Sequence, residues 1–196
     1  MAKIKVLRII TRLNIGGPAR QAVLLNSELA KENFDCVLIT GSLSEAEGDM
    51  SYIAAESSVK PVMIPAIGRE LSIWNDLVSF CRIYSIIKKE KPHIVHTHMA
   101  KAGTVGRIAA KAAGAPVIIH TFHGHVFHSY FSEQKTRFFI GIEKILARFT
   151  DKIITVSERQ KKEIKDYLSI SDDGKIALIP LGFDLDKFIT DKDCTA

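Results

Sequence analysis

With 196 residues, of which 46% are hydrophobic and 25% charged, the chain has the composition of an ordinary globular protein and the length of a single domain of about 100 to 200 residues. No apolar stretch approaches the about 20 residues that cross a bilayer, the start of the chain runs into a strand pattern without a leader cleavage site, and the expected compartment is the cytoplasm. Three widely spaced cysteines without a CxxC pair argue against a disulfide framework or a cysteine zinc site, and a net charge of +5 without a recognition motif argues against nucleic acid.

Residues 4–11 form an apolar run that reads as a buried strand. The turn after it holds Arg12, Asn14, Gly16, Gly17 and Pro18. A glycine pair lets backbone N–H groups approach a ligand, and proline at the first helical position loses no needed hydrogen bond. The helix predicted over 18–31, with Ala22, Leu25, Asn26 and Leu29 on one side, thus offers its N-terminus to a phosphate; an ordinary tight turn is the competing assignment. Strands are predicted over 34–40 and 61–64, separated by a polar loop over 41–49 and a short helix over 50–56. Residues 71–90 place Ile73, Leu77, Phe80 or Cys81, Tyr84 and Ile87 at helical spacing, and Pro92 ends that helix.

All seven histidines lie within residues 93–128. A strand over 93–98 ends in His96-Thr97-His98 and leads into a helix from Lys101 whose inward residues are Val105, Gly106, Ile108, Ala109 and Ala112. Gly114 and Pro116 close that helix. A second strand over 117–119 then opens into Thr121-Phe122-His123-Gly124-His125. Strands joined by a helix in this way run parallel, so the two histidine clusters are expected side by side at the C-terminal edge, where open α/β sheets bind ligands. His96 and His98 alternate onto one face.

Residues 133–149 form a predicted helix with Phe138, Phe139, Ile142, Ile145, Leu146 and Phe149 on a core stripe. A strand over 152–156 follows, then Ser157 and Gln160 at capping-box spacing open a helix to residue 168. A turn over 172–174 and a strand over 175–179 complete the pattern. Its alternation predicts an α/β fold, a doubly wound, mostly parallel sheet of about seven strands with helices on both faces. The positive charge is concentrated near the histidines: residues 101–150 hold seven Lys/Arg against two Asp/Glu. Such an excess suits phosphate groups, an anionic membrane or simply a solvated helix face.

Five segments together resemble the N-terminal domain of family 4 glycosyltransferases: GGPARQ at 16–21, HTHMAKAGTVGR at 96–107, HTFHGH at 120–125, ITVSE at 154–158 and IPLGFDLDKF at 179–188. They occur in the family's order and span nearly the whole chain. The resemblance implies the two-domain GT-B fold, with residues 1–188 as a Rossmann-like acceptor-side half and 189–196 as a loose tail. The donor-binding half, marked in that family by a spaced Glu pair and a basic residue, is expected outside this chain, which has no Glu pair at that spacing. The implied activity is transfer of a hexose or N-acetylhexosamine from a nucleotide sugar, without a cofactor, in capsular, exopolysaccharide or lipopolysaccharide-type synthesis. A glycan or lipid-linked acceptor and a peripheral contact at the inner face of the cell membrane are the implied partners.

Glycosyl transfer develops positive charge on the sugar ring and negative charge on the departing diphosphate. The N–H groups at Gly16 and Gly17 suit the diphosphate. His123 matches the family histidine that faces the donor sugar, and its expected role is positioning and electrostatic support; a histidine satisfied inside its own loop is the competing assignment. Arg12, Asn14, His96, His98, Lys101, His125, Ser157 and Glu158 are candidates for the acceptor side or crevice. Ser157 doubles as a helix cap and Glu158 as a first-turn acid, while Arg107 suits either a phosphate or a solvated helix surface. Val126, Phe127, Tyr130 and Phe131, beside Lys135, Arg137, Lys144 and Arg148, suit either an anionic bilayer surface or closure of the core. Two further classes fit parts of the pattern. The repeated His-x-His suits a metal-dependent hydrolase, although residues 93–128 contain no Asp or Glu to complete a ligand set and no metal is expected. A non-catalytic module binding a glycan or nucleotide is the other.

Overall fold

The computed structural model describes residues 3–44, 47–68, 72–124 and 133–182. The strands β1 (Ile4–Ile10), β2 (Phe34–Thr40), β3 (Val62–Met63), β4 (Ile94–His98), β5 (Val117–Thr121), β6 (Lys152–Thr155) and β7 (Ile176–Leu178) alternate with helices α1 (Gly17–Lys31), α2 (Ser51–Glu56), α3 (Ile73–Glu90), α4 (Ala100–Ala113), α5 (Glu133–Arg148) and α6 (Glu158–Leu168). They form one parallel seven-stranded sheet in the order β3-β2-β1-β4-β5-β6-β7. The chain first steps outward from β1 and then returns to β4 on its other side. The gap between the C-terminal ends of β1 and β4 is therefore the topological switch point, the place where open α/β sheets form a crevice.

Pairing register decides which face each side chain takes. Arg8 lies opposite His96, Thr97 opposite His120, and His98 opposite Thr121. On one face, α1 and α2 pack through Ala19, Ala22, Val23 and Ala54 against Ile10 and Leu38. On the other, α3 and α4 cover Leu7, Ile9, Val95 and Ile118, and α5 and α6 extend that layer over Ile153 and Ile176. The doubly wound architecture expected from the alternation is what forms.

Three helices depart in part from their expected orientation. In α3, Ile87 is buried and Phe80 and Tyr84 pack half-buried against the core as expected, while Ile73 and Leu77 in its first two turns are 92% and 52% exposed and Ser79 and Ile83 are buried instead. In α4, Ile108 is 43% exposed and Arg107 is fully buried, so the solvated-surface assignment of Arg107 is corrected. In α5, Phe138 and Ile145 face solvent while Glu143, Leu146 and Ala147 are buried. The cause lies in one ion pair: Arg107 Nη2 reaches both carboxylate oxygens of Glu143 at 2.8 and 2.7 Å, and its Nε donates to the Gly103 carbonyl at 2.8 Å. Turning the apolar stripe of α5 inward would strand the Arg107 charge, and breaking such a buried pair costs about 3–5 kcal/mol.

Small residues set the closeness of α4 to the sheet. A Cβ on Gly103 would lie 2.5 Å from His120 Cε1, and one on Gly106 would lie 2.9 Å from Thr97 Cγ2. Gly103→Ala is therefore expected to destabilise the fold by about 1–3 kcal/mol, because the His120 ring has no room to yield. Gly141→Ala, on α5 where nothing lies within 4 Å of the added methyl, is expected to be neutral or to stabilise by up to about 1 kcal/mol. Urea denaturation midpoints of the two variants should move in opposite directions or, at the least, only the first should fall.

Candidate functional site

At the crevice edge the alternation of β4 sends His96 and His98 to the α1 side of the sheet and Thr97 to the α4 side. His96 Nε2 meets Thr121 Oγ1 at 2.7 Å. His98 Nδ1 meets His123 Nε2 at 2.8 Å, just beyond the end of β5. The three rings lie in a row, with centroids 4.2 Å apart from His96 to His98, whose planes are tilted by 36°, and 5.1 Å from His98 to His123. His120 points the other way. Its Nδ1 meets Thr97 Oγ1 at 2.8 Å, its ring stands edge-on to Phe122, and α4 covers it. Of the expected clusters, His96, His98 and His123 gather in the crevice and His120 is a core residue. His125 lies outside the described residues.

Burial keeps these rings neutral. It holds His96, His98 and His120 well below the ordinary imidazole value of 6.5, with added repulsion from Arg8 on His96 and His98 and from Arg107 on His120. Burial alone lowers His123 to about 4. Arg8 lies under α1, where Nη1 donates to Asn26 Oδ1 at 3.0 Å, and burial pulls its own pKa down to about 10. A neutral imidazole has one donor and one acceptor nitrogen. In the His98–His123 bond one ring must donate and the other accept, so the outer nitrogens, His98 Nε2 and His123 Nδ1, always have opposite character. Both are buried without a partner among the described residues.

The turn after β1 forms the opposite wall. Arg12 is held by Glu47 through Nε and Nη2, at 2.7 and 2.6 Å from one carboxylate oxygen. Asn14 bridges to Asp49, and the Leu13 carbonyl accepts from Met50 N at 2.9 Å. Arg12 and Asn14 thus brace the turn. Gly16 precedes α1, which begins at Gly17, so Pro18 is its second residue rather than its first. The helix has no side-chain cap and no acid in its first turn, leaving its positive end to favour an anion. Gly17 faces open space. At the start of α4, Met99 takes φ 66°, a strained value for a side-chain-bearing residue, and Thr11 Oγ1 accepts from Ala102 N at 3.3 Å. Lys101 is paired with Asp76 of α3 at 3.0 Å.

Ser157 caps α6, its hydroxyl accepting from Gln160 N at 3.3 Å, and Glu158 is an exposed first-turn acid. The Gln160 side chain returns to Val156 N at 2.9 Å, one residue short of the expected partner, and also donates to the Gly124 carbonyl at 2.8 Å. Arg8, Thr121 and Gln160 were missed as site residues. An arginine inside an apolar strand run was the visible signal for Arg8; the spacing from Ser157 revealed the cap of Gln160 but not its second bond. Among the described residues no group of three or more His, Cys, Asp or Glu is placed to hold a metal ion. The His98 and His123 nitrogens face each other rather than a common point.

The model of Glycosyltransferase Family 4 matches residues 15–187. The chain is 33% identical over 190 residues to an Escherichia coli UDP-Gal:α-D-GlcNAc-diphosphoundecaprenol α-1,3-galactosyltransferase, covering 95% of the chain and 47% of that protein. It is 27% identical to the Staphylococcus aureus capsular polysaccharide biosynthesis glycosyltransferase CapM, covering 79% of the chain and 38% of the relative. It therefore spans less than half the length of either relative. Among solved structures, a Rickettsia africae glycosyltransferase superposes with a TM-score of 0.69 at 20% identity, covering 96% of the chain and 45% of that structure. A Methanocaldococcus jannaschii UDP-GlcNAc 2-epimerase superposes with a TM-score of 0.66 at 18% identity, covering 90% and 46%. At these identities the structures speak to the fold alone.

The buried histidines make stability depend on pH. Each folded pKa lies below the unfolded 6.5, so between those values the unfolded chain binds more protons than the folded one. The stabilisation is complete above pH 6.5 and is lost as pH falls towards the folded values. Urea midpoints measured at successive pH values from 7.5 to 4.5 should fall, and His123→Gln should flatten part of that fall (about one histidine's share).

Proposed function

The chain belongs to Glycosyltransferase Family 4, and on that premise we propose that it is the acceptor-side half of a nucleotide-sugar-dependent glycosyltransferase. The transferred group is a hexose or N-acetylhexosamine, and the product is a capsular, exopolysaccharide or lipopolysaccharide-type glycan. The observation that carries this reading is the pairing, across the switch point, of an uncapped helix N-terminus after Gly16 and Gly17 with the neutral His98–His123 pair. The departing diphosphate gains negative charge and suits the first-turn N–H groups of α1. The sugar ring gains positive charge, which an imidazolium would oppose and a neutral His123 does not. His96 and Thr121 back the pair, and Arg12 and Asn14 hold the glycine turn in place. Recognition of the donor nucleotide falls to a second half outside these residues.

The relatives support the chemistry. By its name, the E. coli enzyme uses a UDP-sugar and a diphospholipid-linked sugar. Residues 1–196 alone, offered a panel of nucleotide sugars and lipid-linked acceptors, are expected to give no transfer above background hydrolysis. In an enzyme joining this half to a donor-binding half, His123→Ala is expected to lower kcat on the order of 10²-fold. Robust transfer by the chain alone, or an unchanged kcat in the variant, would overturn the reading.

A lipid-linked acceptor implies work at the inner face of the membrane, and the outer side of α5 suits a peripheral contact there. No described helix is long and apolar enough to cross a membrane. Phe138 and Ile145 are 65% and 58% exposed, and Lys135, Lys144 and Arg148 flank them, with Arg137 paired to Glu133 at 2.7 Å. Residues 126, 127, 130 and 131, also expected on this surface, lie outside the described residues. Each basic group near an anionic surface contributes about 1 kcal/mol at most, so binding is weak and reversible. Co-sedimentation with anionic vesicles is expected to fall with added salt and with Phe138→Ser, a change at an exposed site that leaves the fold intact. Equal binding to neutral vesicles would remove the electrostatic part of the argument.

A further inference from the structure

His123 is the proposed sugar-facing residue, yet it lies beyond the end of β5. Two hydrogen bonds bracket it. Phe122 N donates to the Ile154 carbonyl at 3.0 Å, which holds the residue before it to the end of β6. The Gly124 carbonyl accepts from Gln160 Nε2 at 2.8 Å, which holds the residue after it to the first turn of α6. Gln160 is only 3% exposed, so this second bond is sheltered from water.

The amide of Gln160 has a unique orientation. Its oxygen accepts from Val156 N at 2.9 Å, and of the two amide atoms only the oxygen can accept from a backbone N–H. Its nitrogen faces the Gly124 carbonyl, which can bond only to a donor. At this position of a capping box either Glu or Gln satisfies the helix. Glutamate would serve the helix slightly better, because its charge complements the positive end of α6. The Gly124 carbonyl reverses that preference, since an ionised carboxylate has no hydrogen to give it.

We infer that Gln160 is a positioning residue for His123: its amide fixes the Gly124 carbonyl to the start of α6 and so holds the imidazole in register with His98. The inference rests on the reading of His123 as sugar-facing, but its geometric core does not. With the Gly124 bond gone, the Phe122 bond to Ile154 is the backbone anchor left among the described residues of this segment, the His98–His123 contact at 2.8 Å loosens, and the His123 ring gains water.

Gln160→Glu separates the two roles of the residue, because it keeps the cap and removes the tether. Nitrogen-15 NMR of the histidine rings in residues 1–196 reads the result. The expected outcome, in Gln160→Glu and in the uncharged Gln160→Met, whose shift cannot come from a neighbouring carboxylate, is a His123 titration that moves upward from about 4 towards 6.5 and amide exchange at His123 and Gly124 faster by about tenfold or more, in a chain that remains folded. Ser157→Ala is the opposite control: it removes a cap bond, and is expected to lower the melting temperature with the His123 titration unmoved. If Gln160→Glu does not fold, Gln160→Met keeps the volume and carries the same comparison. An unmoved His123 titration in a folded Gln160 variant overturns the inference. In the two-half enzyme, Gln160→Glu is expected to lower kcat with little change in KM for the donor. A moved titration with unchanged kcat would leave the tether standing and overturn the reading of His123.

Discussion

The register between β4 and β5 is the constraint on which the site depends. Because successive side chains alternate faces, a slip of one residue would exchange every member of one face for the other. With Thr97 opposite His120 and His98 opposite Thr121, His96, His98 and Thr121 share the crevice face and His120 is sent beneath α4. The slipped register would bring His120 to the crevice and leave another side chain over Gly103, where an imidazole now lies in close contact. The packing of α4 and the composition of the site are therefore one choice. The small residues at 103 and 106 are part of the site's architecture although they touch no ligand.

Charge in the interior is handled in two different ways. Arg107 and Glu143 neutralise each other in a bidentate pair that joins α4 to α5 and fixes the rotation of α5. Arg8 is instead bonded to a neutral amide, and its charge acts on the histidines that share its face. Both arginines oppose protonation of nearby imidazoles, and burial does the rest. The consequence is a polar crevice made of neutral groups beside a helix terminus of positive partial charge.

Much of the fold was legible in the sequence, because strand and helix periods differ and turns are punctuated by Gly, Pro and Asp. The parallel sheet, the placement of His96 and His98 on one face, and the Ser157 cap all follow from spacing. Helix rotation was not legible. In α5, Phe138, Ile145 and their neighbours form as good an apolar stripe as the one that is buried, and only the distant partner Arg107 decides between them. His120 and His123 were equally indistinguishable by residue type; one pairs with a threonine on the core face and the other lies past the strand end, a difference of register rather than composition. The capping role of Gln160 could be read locally, while its bond to Gly124 joins residues 36 positions apart.

The proposed chemistry also explains why a pair of histidines suits this position better than one. A lone buried imidazole that took up a proton would become a cation in a poorly solvated site, next to a sugar that is itself becoming positive. In the His98–His123 pair one ring donates to the other, so with both rings neutral the outer nitrogens always present one donor and one acceptor. Such a unit offers either hydrogen-bonding character to a sugar hydroxyl without a permanent charge. In this proposal the positive elements are the helix N-terminus, set where the diphosphate departs, and Arg8 buried on the same face as His96 and His98, while the ring facing the sugar stays neutral.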